Sequence, residues 1–266
     1  MKKKYLVIGN PIEHSLSPKL HNEWLKKNNI NACYEKKKLQ NEDIKNLILD
    51  LKNKKIDGIN VTVPFKKIII PYLDELSIEA KNTQSVNTIY IKNSKIVGHN
   101  TDIEGFKASM ENTKFDTTSK KVLILGAGGV VPSIILALLE LNVSKITVTN
   151  RTKKKAEDLK FFFKNIEIVE WGHIPNFDII INATSLGLNK NDIIDLNFPK
   201  ILQNKFFYDV IYNPPETNFL KMGRKLGNKT KNGKMMFILQ ASAAFKIWHG
   251  IEPEINKDII NLLEND

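Results

Sequence analysis

Residues 121–141 set a continuous apolar run, Lys121-Val122-Leu123-Ile124-Leu125, directly before Gly126-Ala127-Gly128-Gly129, and a helix-period segment, 130–141, directly after it. Few folds accommodate that order. A buried strand, a glycine turn and an apolar helix make the first step of a doubly wound parallel sheet. The glycines let the chain turn sharply and bring its amides against a pyrophosphate at the positive end of the helix. The third glycine of the usual fingerprint is absent, with Val131 in its place. The turn therefore takes its weight from the strand before it and the helix after it.

The next strand, 145–149, runs into Asn150-Arg151-Thr152 and then Lys153-Lys154-Lys155. Enzymes that use NAD place an acidic residue here for the ribose hydroxyls, and an acid would repel a 2′-phosphate. Arg151 instead offers a planar fork to that phosphate, with Asn150 and Thr152 adding hydrogen bonds and the lysines adding charge, so the pattern points to NADP. An ordinary helix capped by Asn150 or Thr152, with lysines on its wet face, would use the same residues. The preceding strand and glycine turn, at the right separation, favour the phosphate. Asn182-Ala183-Thr184-Ser185-Leu186-Gly187 follows the apolar strand 178–182, and its small residues would let a cofactor pass close to backbone at the same sheet edge.

A chain of 266 residues suits two domains. Strands are expected at 5–8, around Cys33, and at 58–63, 86–91 and 95–97, with helices at 18–27 and 42–51. The second half adds a helix at 153–163 and a strand at 166–169. The polar stretch 111–120 has no apolar periodicity and reads as the boundary. The expected class is two-domain α/β. An open α/β substrate domain, 1–115, is completed by the carboxy-terminal helices of 236–266, and a Rossmann-type doubly wound domain spans 116–235; helical patterns run at 235–248 and 256–263.

Net charge is +11, but the excess is nearly all lysine scattered over helix faces, without the focused patch and interleaved aromatics of a nucleic-acid binder. Such a surface would attract anionic small molecules. No apolar run approaches the roughly 18 residues of a membrane span. Lys2-Lys3-Lys4 leads into four apolar residues that end at Gly9-Asn10-Pro11, a strand rather than an export signal. One cysteine, Cys33, without metal-ligand spacing around it, fits a reducing cytoplasm and no metal site.

Asn60-Val61-Thr62-Val63-Pro64-Phe65-Lys66 reads as a buried strand that ends in polar residues beside a proline, with Asn60 and Thr62 on one face. A lysine just past a strand end, in a cleft, is placed for proton transfer. A snorkelling surface lysine is the plain alternative.

These segments resemble the shikimate dehydrogenase family over essentially the whole chain. In the family's order stand Gly9-Asn10-Pro11-Ile12, His14-Ser15-Leu16-Ser17-Pro18, residues 60–66, Ser85-Val86-Asn87-Thr88, Asn100-Thr101-Asp102, residues 126–129, Asn150-Arg151-Thr152, residues 182–187, Tyr212-Asn213-Pro214-Pro215-Glu216-Thr217 and Gln240-Ala241. The resemblance implies reduction of 3-dehydroshikimate to shikimate with NADPH, by a cytoplasmic monomer or homodimer without nucleic-acid or membrane partners. It implies a catalytic pair, Lys66 and Asp102, with Asp102 also touching substrate. Ser15, Ser17 and Tyr212 would bind the substrate carboxylate, and Asn60, Thr62, Asn87 and Gln240 its ring hydroxyls. Cofactor contacts are implied at Gly126, Ala127, Gly128, Gly129, Val130, Asn150, Arg151, Thr152, Lys153, Lys154, Lys155, Thr184, Val210 and Gly233. The sequence departs from the family at Met235, where a second glycine is usual, at Asn218 for a proline, and at Ile78 for a glutamate. A quinate/shikimate dehydrogenase of broader specificity is the nearest alternative. A catalytically silent ligand-binding relative is another, against which the presence of both Lys66 and Asp102 speaks.

Overall fold

The computed structural model describes residues 2–189, 191–196, 198 and 203–263. The chain divides into two compact units, Met1–Glu104 with Ile238–Asp266, and Gly105–Phe237. Among the described residues no helix is long and apolar enough to cross a membrane.

The first unit runs β1 (Lys3–Gly9), α1 (Ser17–Lys27), β2 (Ala32–Lys38), α2 (Ile44–Lys52), β3 (Gly58–Val61), α3 (Phe65–Ile68), β4 (Glu75–Leu76), α4 (Ile78–Thr83), β5 (Thr88–Lys92) and β6 (Lys95–His99). Its sheet has the order β2-β1-β3-β5-β6-β4. β1 pairs in parallel with β2 and β3, whereas β5 is antiparallel to both β3 and β6. α5 (Asp102–Asn112) carries the chain out of this unit, and α9 (Lys234–His249) brings it back to α10 (Lys257–Leu262).

Alternation along the strands gives this sheet two unlike faces. Leu6, Ile8, Ile59, Val61 and Ile89 join Ile44, Leu47, Ile48 and Leu51 of α2 in an apolar core. Tyr5, Tyr34, Asn60 and Thr88 share the opposite face, as their strand registers require. Aromatic residues cover it. The Tyr34 ring lies flat on His21 of α1, with centroids 4.2 Å apart, and Tyr5 meets Trp248 and His249 at 4.9 Å each. The indole nitrogens tie the layers together: Trp248 Nε1 donates to the Ile89 carbonyl at 3.1 Å and Trp24 Nε1 to the Glu254 carbonyl at 3.1 Å.

The second unit comprises β7 (Lys121–Leu125), α6 (Val131–Glu140), β8 (Lys145–Thr149), α7 (Lys153–Leu159), β9 (Glu167–Val169), β10 (Ile179–Asn182), β11 (Phe206–Asp209), α8 (Asn218–Lys225) and β12 (Lys229–Lys231). The sheet is parallel throughout, in the order β12-β11-β10-β7-β8-β9. Read from β9, this is the 3-2-1-4-5-6 order of the doubly wound fold, whose strand order reverses beside its first strand, here β7. Leu123, Leu125, Ile180, Phe207, Phe219 and Leu220 fill one layer of its core.

Several boundaries differ from the sequence pattern, three of them for a visible reason. β3 stops at Val61, short of 63, because the chain already turns there: the Phe65 amide donates to the Thr62 carbonyl at 2.9 Å, and Pro64 has no amide for the ladder. α2 is preceded by a tight turn at Asn41–Asp43, held by a capping box between Gln40 and Asp43. α7 ends at Leu159 rather than 163, with Phe161 88% exposed, off the stripe of Ala156 and Leu159. The two units divide inside α5, ahead of the polar stretch 111–120.

His21 generates a pH dependence. Burial holds its imidazole neutral, its pKa pushed down to about 3. In the unfolded chain it takes a proton near its ordinary value, so below about pH 6.5 the unfolded state binds more protons and stability falls with pH. Relative to His21→Phe, the unaltered protein should lose roughly 3 kcal/mol of stability between pH 6.5 and pH 4. Denaturant unfolding of both at several pH values measures this; parallel pH dependences would contradict it.

Candidate active site

In the first unit a lysine and an aspartate meet out of water. The turn after β3 delivers Lys66 on α3, anchored by the fully buried Phe65, while Asp102 opens α5. Lys66 Nζ lies 2.5 Å from Asp102 Oδ2, with side chains 12% and 7% exposed. The second carboxylate oxygen is also taken: Asn87 Nδ2 donates to Asp102 Oδ1 at 2.9 Å. The Asp102 amide donates to Asn100 Oδ1 at 3.0 Å, so the residue is held at backbone and side chain alike.

Of the other polar residues expected here, Asn60 and Gln240 bond to Asn87. Its Nδ2 has further acceptors in Thr101 Oγ1 at 2.9 Å and Gln240 Oε1 at 3.4 Å. Its Oδ1 accepts from the Thr101 amide at 2.8 Å and the Thr88 hydroxyl at 3.0 Å. Asn60 is committed on every side. Its Nδ2 donates to the Asn87 carbonyl and to Thr88 Oγ1, each at 3.0 Å, and its Oδ1 accepts from the Tyr34 hydroxyl at 2.6 Å. Thr62 is half-buried at the end of β3, its amide donating to the Ile8 carbonyl at 2.9 Å. Ser15 and Ser17 lie together at the start of α1, where the Ser17 amide donates to Ser15 Oγ at 3.4 Å. Sequence reasoning omitted Tyr34 and gave no role to Thr88 or Thr101. Thr88 and Thr101 stood only as neighbours of Asn87 and Asp102 in the family motifs, and Tyr34 had no signal beyond its place near Cys33.

In the second unit the glycine turn follows β7 at the point where the strand order reverses. Gly126 has φ +110°, a conformation that favours glycine, and a Cβ there would fall 2.8 Å from the Ala183 carbonyl oxygen. Gly128 and Gly129 are exposed, and a Cβ on Gly128 would meet only that oxygen, at 4.0 Å. Val130 caps α6 without a side-chain hydrogen bond, and Pro132 has no amide to offer. After β8, Asn150 Nδ2 donates to the Thr152 carbonyl at 2.8 Å. Lys153 pairs with Glu170, and Lys154 with Asp158 at 3.1 Å; Lys155 is exposed. Arg151 is exposed and enters no ion pair among the described residues. The exposed turn at Gly128 after β7 and the exposed Arg151 after β8 fit a dinucleotide that carries a 2′-phosphate.

A second network fixes the facing loops. Asp209, fully buried at the end of β11, accepts from Asn182 Nδ2 at 3.1 Å, the Ile211 amide at 3.0 Å and Thr217 Oγ1 at 2.5 Å. Burial raises its carboxyl to about 6, against those three bonds. Asn182 in turn accepts from the Thr184 amide and hydroxyl, which sets the course of residues 182–187. Val210 and Gly233 touch: a Cβ on Gly233 would stand 2.0 Å from the Val210 carbonyl oxygen. Tyr212 stacks on Phe237, with centroids 4.4 Å apart. Of the departures, Asn218 opens α8 and donates to the Asp192 carbonyl at 2.9 Å, Ile78 is exposed at the start of α4, and Met235 is half-buried in α9.

Fold and site together define a two-domain dehydrogenase of the doubly wound dinucleotide-binding kind. Residues 7–89 match the family model of the shikimate dehydrogenase substrate binding domain, and residues 109–214 that of shikimate / quinate 5-dehydrogenase. The NADP(+) shikimate dehydrogenase of Pelagibacter ubique is 61% identical over 264 residues, covering 99% of this chain and all of the relative. The crystal structure of shikimate dehydrogenase from Aquifex aeolicus superposes with a TM-score of 0.90 at 36% identity, over 100% of this chain and 98% of that one. The Thermus thermophilus shikimate 5-dehydrogenase, solved in complex with NADP(H) and shikimate, gives 0.88 at 27% identity, over 98% of each chain. The chain belongs to the shikimate dehydrogenase family.

Gly126 and Gly128 should answer differently to an added methyl. Gly126→Ala meets backbone and a left-handed φ, and should lower unfolding free energy by about 1–3 kcal/mol. Gly128→Ala has open space and should stay within about 0.5 kcal/mol of the unaltered protein. Thermal unfolding of both variants tests this; equal losses would mean the turn is not built as described.

Proposed function

We propose that this chain reversibly reduces 3-dehydroshikimate to shikimate in aromatic amino acid biosynthesis, with Lys66 and Asp102 managing the proton. The observation that carries the assignment of roles is the ion pair itself, short, dry and held by Asn87. Bound NADPH supplies the hydride to the C3 carbonyl carbon. The carbonyl oxygen gains charge as that happens, and Lys66 delivers a proton to it, taking the proton back in oxidation. Asp102 aims Nζ and balances its charge. The two act as a unit.

Ser15 and Ser17 offer hydroxyls to the substrate carboxylate, and Thr62, Asn87 and Gln240 receive ring hydroxyls. Neutral, buried partners of this kind reject an analogue that lacks a hydroxyl, because their own groups would be left unpaired. Residues 126–130, Asn150, Arg151, Thr152 and the lysines after them hold the pyrophosphate and 2′-phosphate, and Thr184, Val210 and Gly233 line the way to the nicotinamide. The single cysteine and the lack of a membrane-spanning helix among the described residues fit a cytoplasmic enzyme.

The direct test is to supply shikimate with NADP or NAD and follow the absorbance of reduced nicotinamide; absence of turnover with NADP would overturn the reading. Lys66→Ala should lower kcat about 10²–10⁴-fold and change either KM far less, the span of a lost general acid or base. Asp102→Asn should also slow turnover severely, with the double variant little worse than the poorer single one. A folded Lys66→Ala enzyme that keeps more than about a tenth of normal turnover would remove Lys66 from this role.

Arg151→Asp should weaken NADP binding about 10- to 150-fold and leave NAD binding nearly unchanged, since it replaces a charge-assisted phosphate partner with a repelling carboxylate. Titration calorimetry with each dinucleotide decides this. Equal loss for both would indicate damage to the fold, and no loss for NADP would place the phosphate elsewhere.

A further inference from the structure

The hydrogen bonds around Asn87 have a fixed polarity, because backbone groups set it. The Thr101 amide can only donate, so Asn87 must turn Oδ1 toward it and Nδ2 toward Asp102. The Asn87 carbonyl can only accept, so Asn60 must turn Nδ2 toward it. That leaves Asn60 Oδ1 facing away from the site, buried, and in need of a donor. Tyr34 supplies it, with its hydroxyl 2.6 Å away.

The result is one directed chain across the sheet. Tyr34 donates to Asn60, Asn60 to Thr88, Thr88 to Asn87 and Asn87 to Asp102, where Lys66 arrives from the other side. The strand register makes it possible. Asn60 and Thr88 are direct partners on β3 and β5, and Tyr34 on β2 shares their face. The far end is clamped by ring packing: Tyr34 is 2% exposed and lies parallel to His21, within 1°.

From this we infer that Tyr34 is a positioning residue for the reaction, acting through Asn60 and Asn87 on the orientation of Asp102 and Lys66. Asn60 then serves from behind Asn87. Both of its amide hydrogens are spent inside the protein, so it supports the residues that meet the substrate instead of binding a ring hydroxyl itself. The inference rests on the proposed role of Lys66 and Asp102, and deepens it by naming what holds them in register.

Tyr34→Phe is the test, because it keeps the stacked ring and removes only the hydroxyl. It leaves Asn60 Oδ1 without a donor, frees the amide to rotate and loosens Asn87 behind Asp102. The expected result is a loss of about 3- to 30-fold in kcat with the KM for NADP unchanged. Tyr5→Phe, in the same aromatic layer but outside the chain of bonds, should keep normal kcat. Combining Tyr34→Phe with Asn60→Ala should give a kcat no lower than Asn60→Ala alone, since both cut the same path. A folded Tyr34→Phe enzyme with normal kcat overturns the inference, as does a loss that adds fully to that of Asn60→Ala. Lys66→Ala, assayed beside them, reports separately on the catalytic reading: if it keeps turnover while Tyr34→Phe fails, the proton assignment is wrong and the support from Tyr34 stands.

Discussion

Two opposite charges removed from water are stable together only when their remaining bonding capacity is met, since desolvation of each costs several kcal/mol. Asp102 meets that condition in the first unit, and much of the polar architecture around it follows from the need. One carboxylate oxygen takes the ammonium and the other takes an amide from Asn87. Asn87 can give that amide only because the Thr101 backbone claims its oxygen. Each requirement passes to the next residue outward until it reaches Tyr34, whose ring is stacked on His21.

The second unit solves a different problem with a similar device. Its loops must hold a defined course at the carboxyl ends of β7, β10 and β11 while leaving backbone exposed. Asp209 anchors two of them through acceptors only, so Asn182 and Thr217 are obliged to donate, and Thr217 still accepts from the Leu220 amide as the cap of α8. The carboxylate is costly there, as its raised pKa shows. A neutral amide would be easier to bury but could donate as well as accept, and the polarity of the network would be lost.

How much of this the sequence carried varies with the length of the interaction. β7, β8 and the glycine turn were legible because strand, turn and helix are contiguous and each follows from local composition. α5 was passed over although Ile103, Phe106 and Met110 are all buried, because Gly105 and the polar 111–120 segment interrupt the pattern. β11 is three aromatic residues and an aspartate, too short to separate from a core helix by periodicity. Lys66 and Asp102 were named through the family likeness, and Lys66 also from its place after a strand. Tyr34 was not, since its meaning comes from Asn60, which lies 26 positions away in sequence and across an intervening strand. Asn60 took its expected ligand role from the family likeness, whereas its bonds to Tyr34, Thr88 and the Asn87 carbonyl come from strands distant in sequence.

Charge makes the same point from the other direction. A net +11 is a property of the whole chain and says little about any site, for most of its lysines are solvated or lie in exposed pairs worth about 0–1 kcal/mol each. Against that background the choice of cation becomes informative. The chain has only two arginines. One, Arg224, pairs with Glu216 at 2.6 Å. The other is Arg151, which stands exposed at the end of β8 with no ion pair among the described residues, while Lys153 and Lys154 beside it are matched to Glu170 and Asp158. A lysine would have served solubility equally well. What it lacks is a planar fork that takes two phosphate oxygens at once and holds them in one geometry, and that difference is why the proposed discrimination between NADP and NAD rests on Arg151 rather than on the basic surface around it.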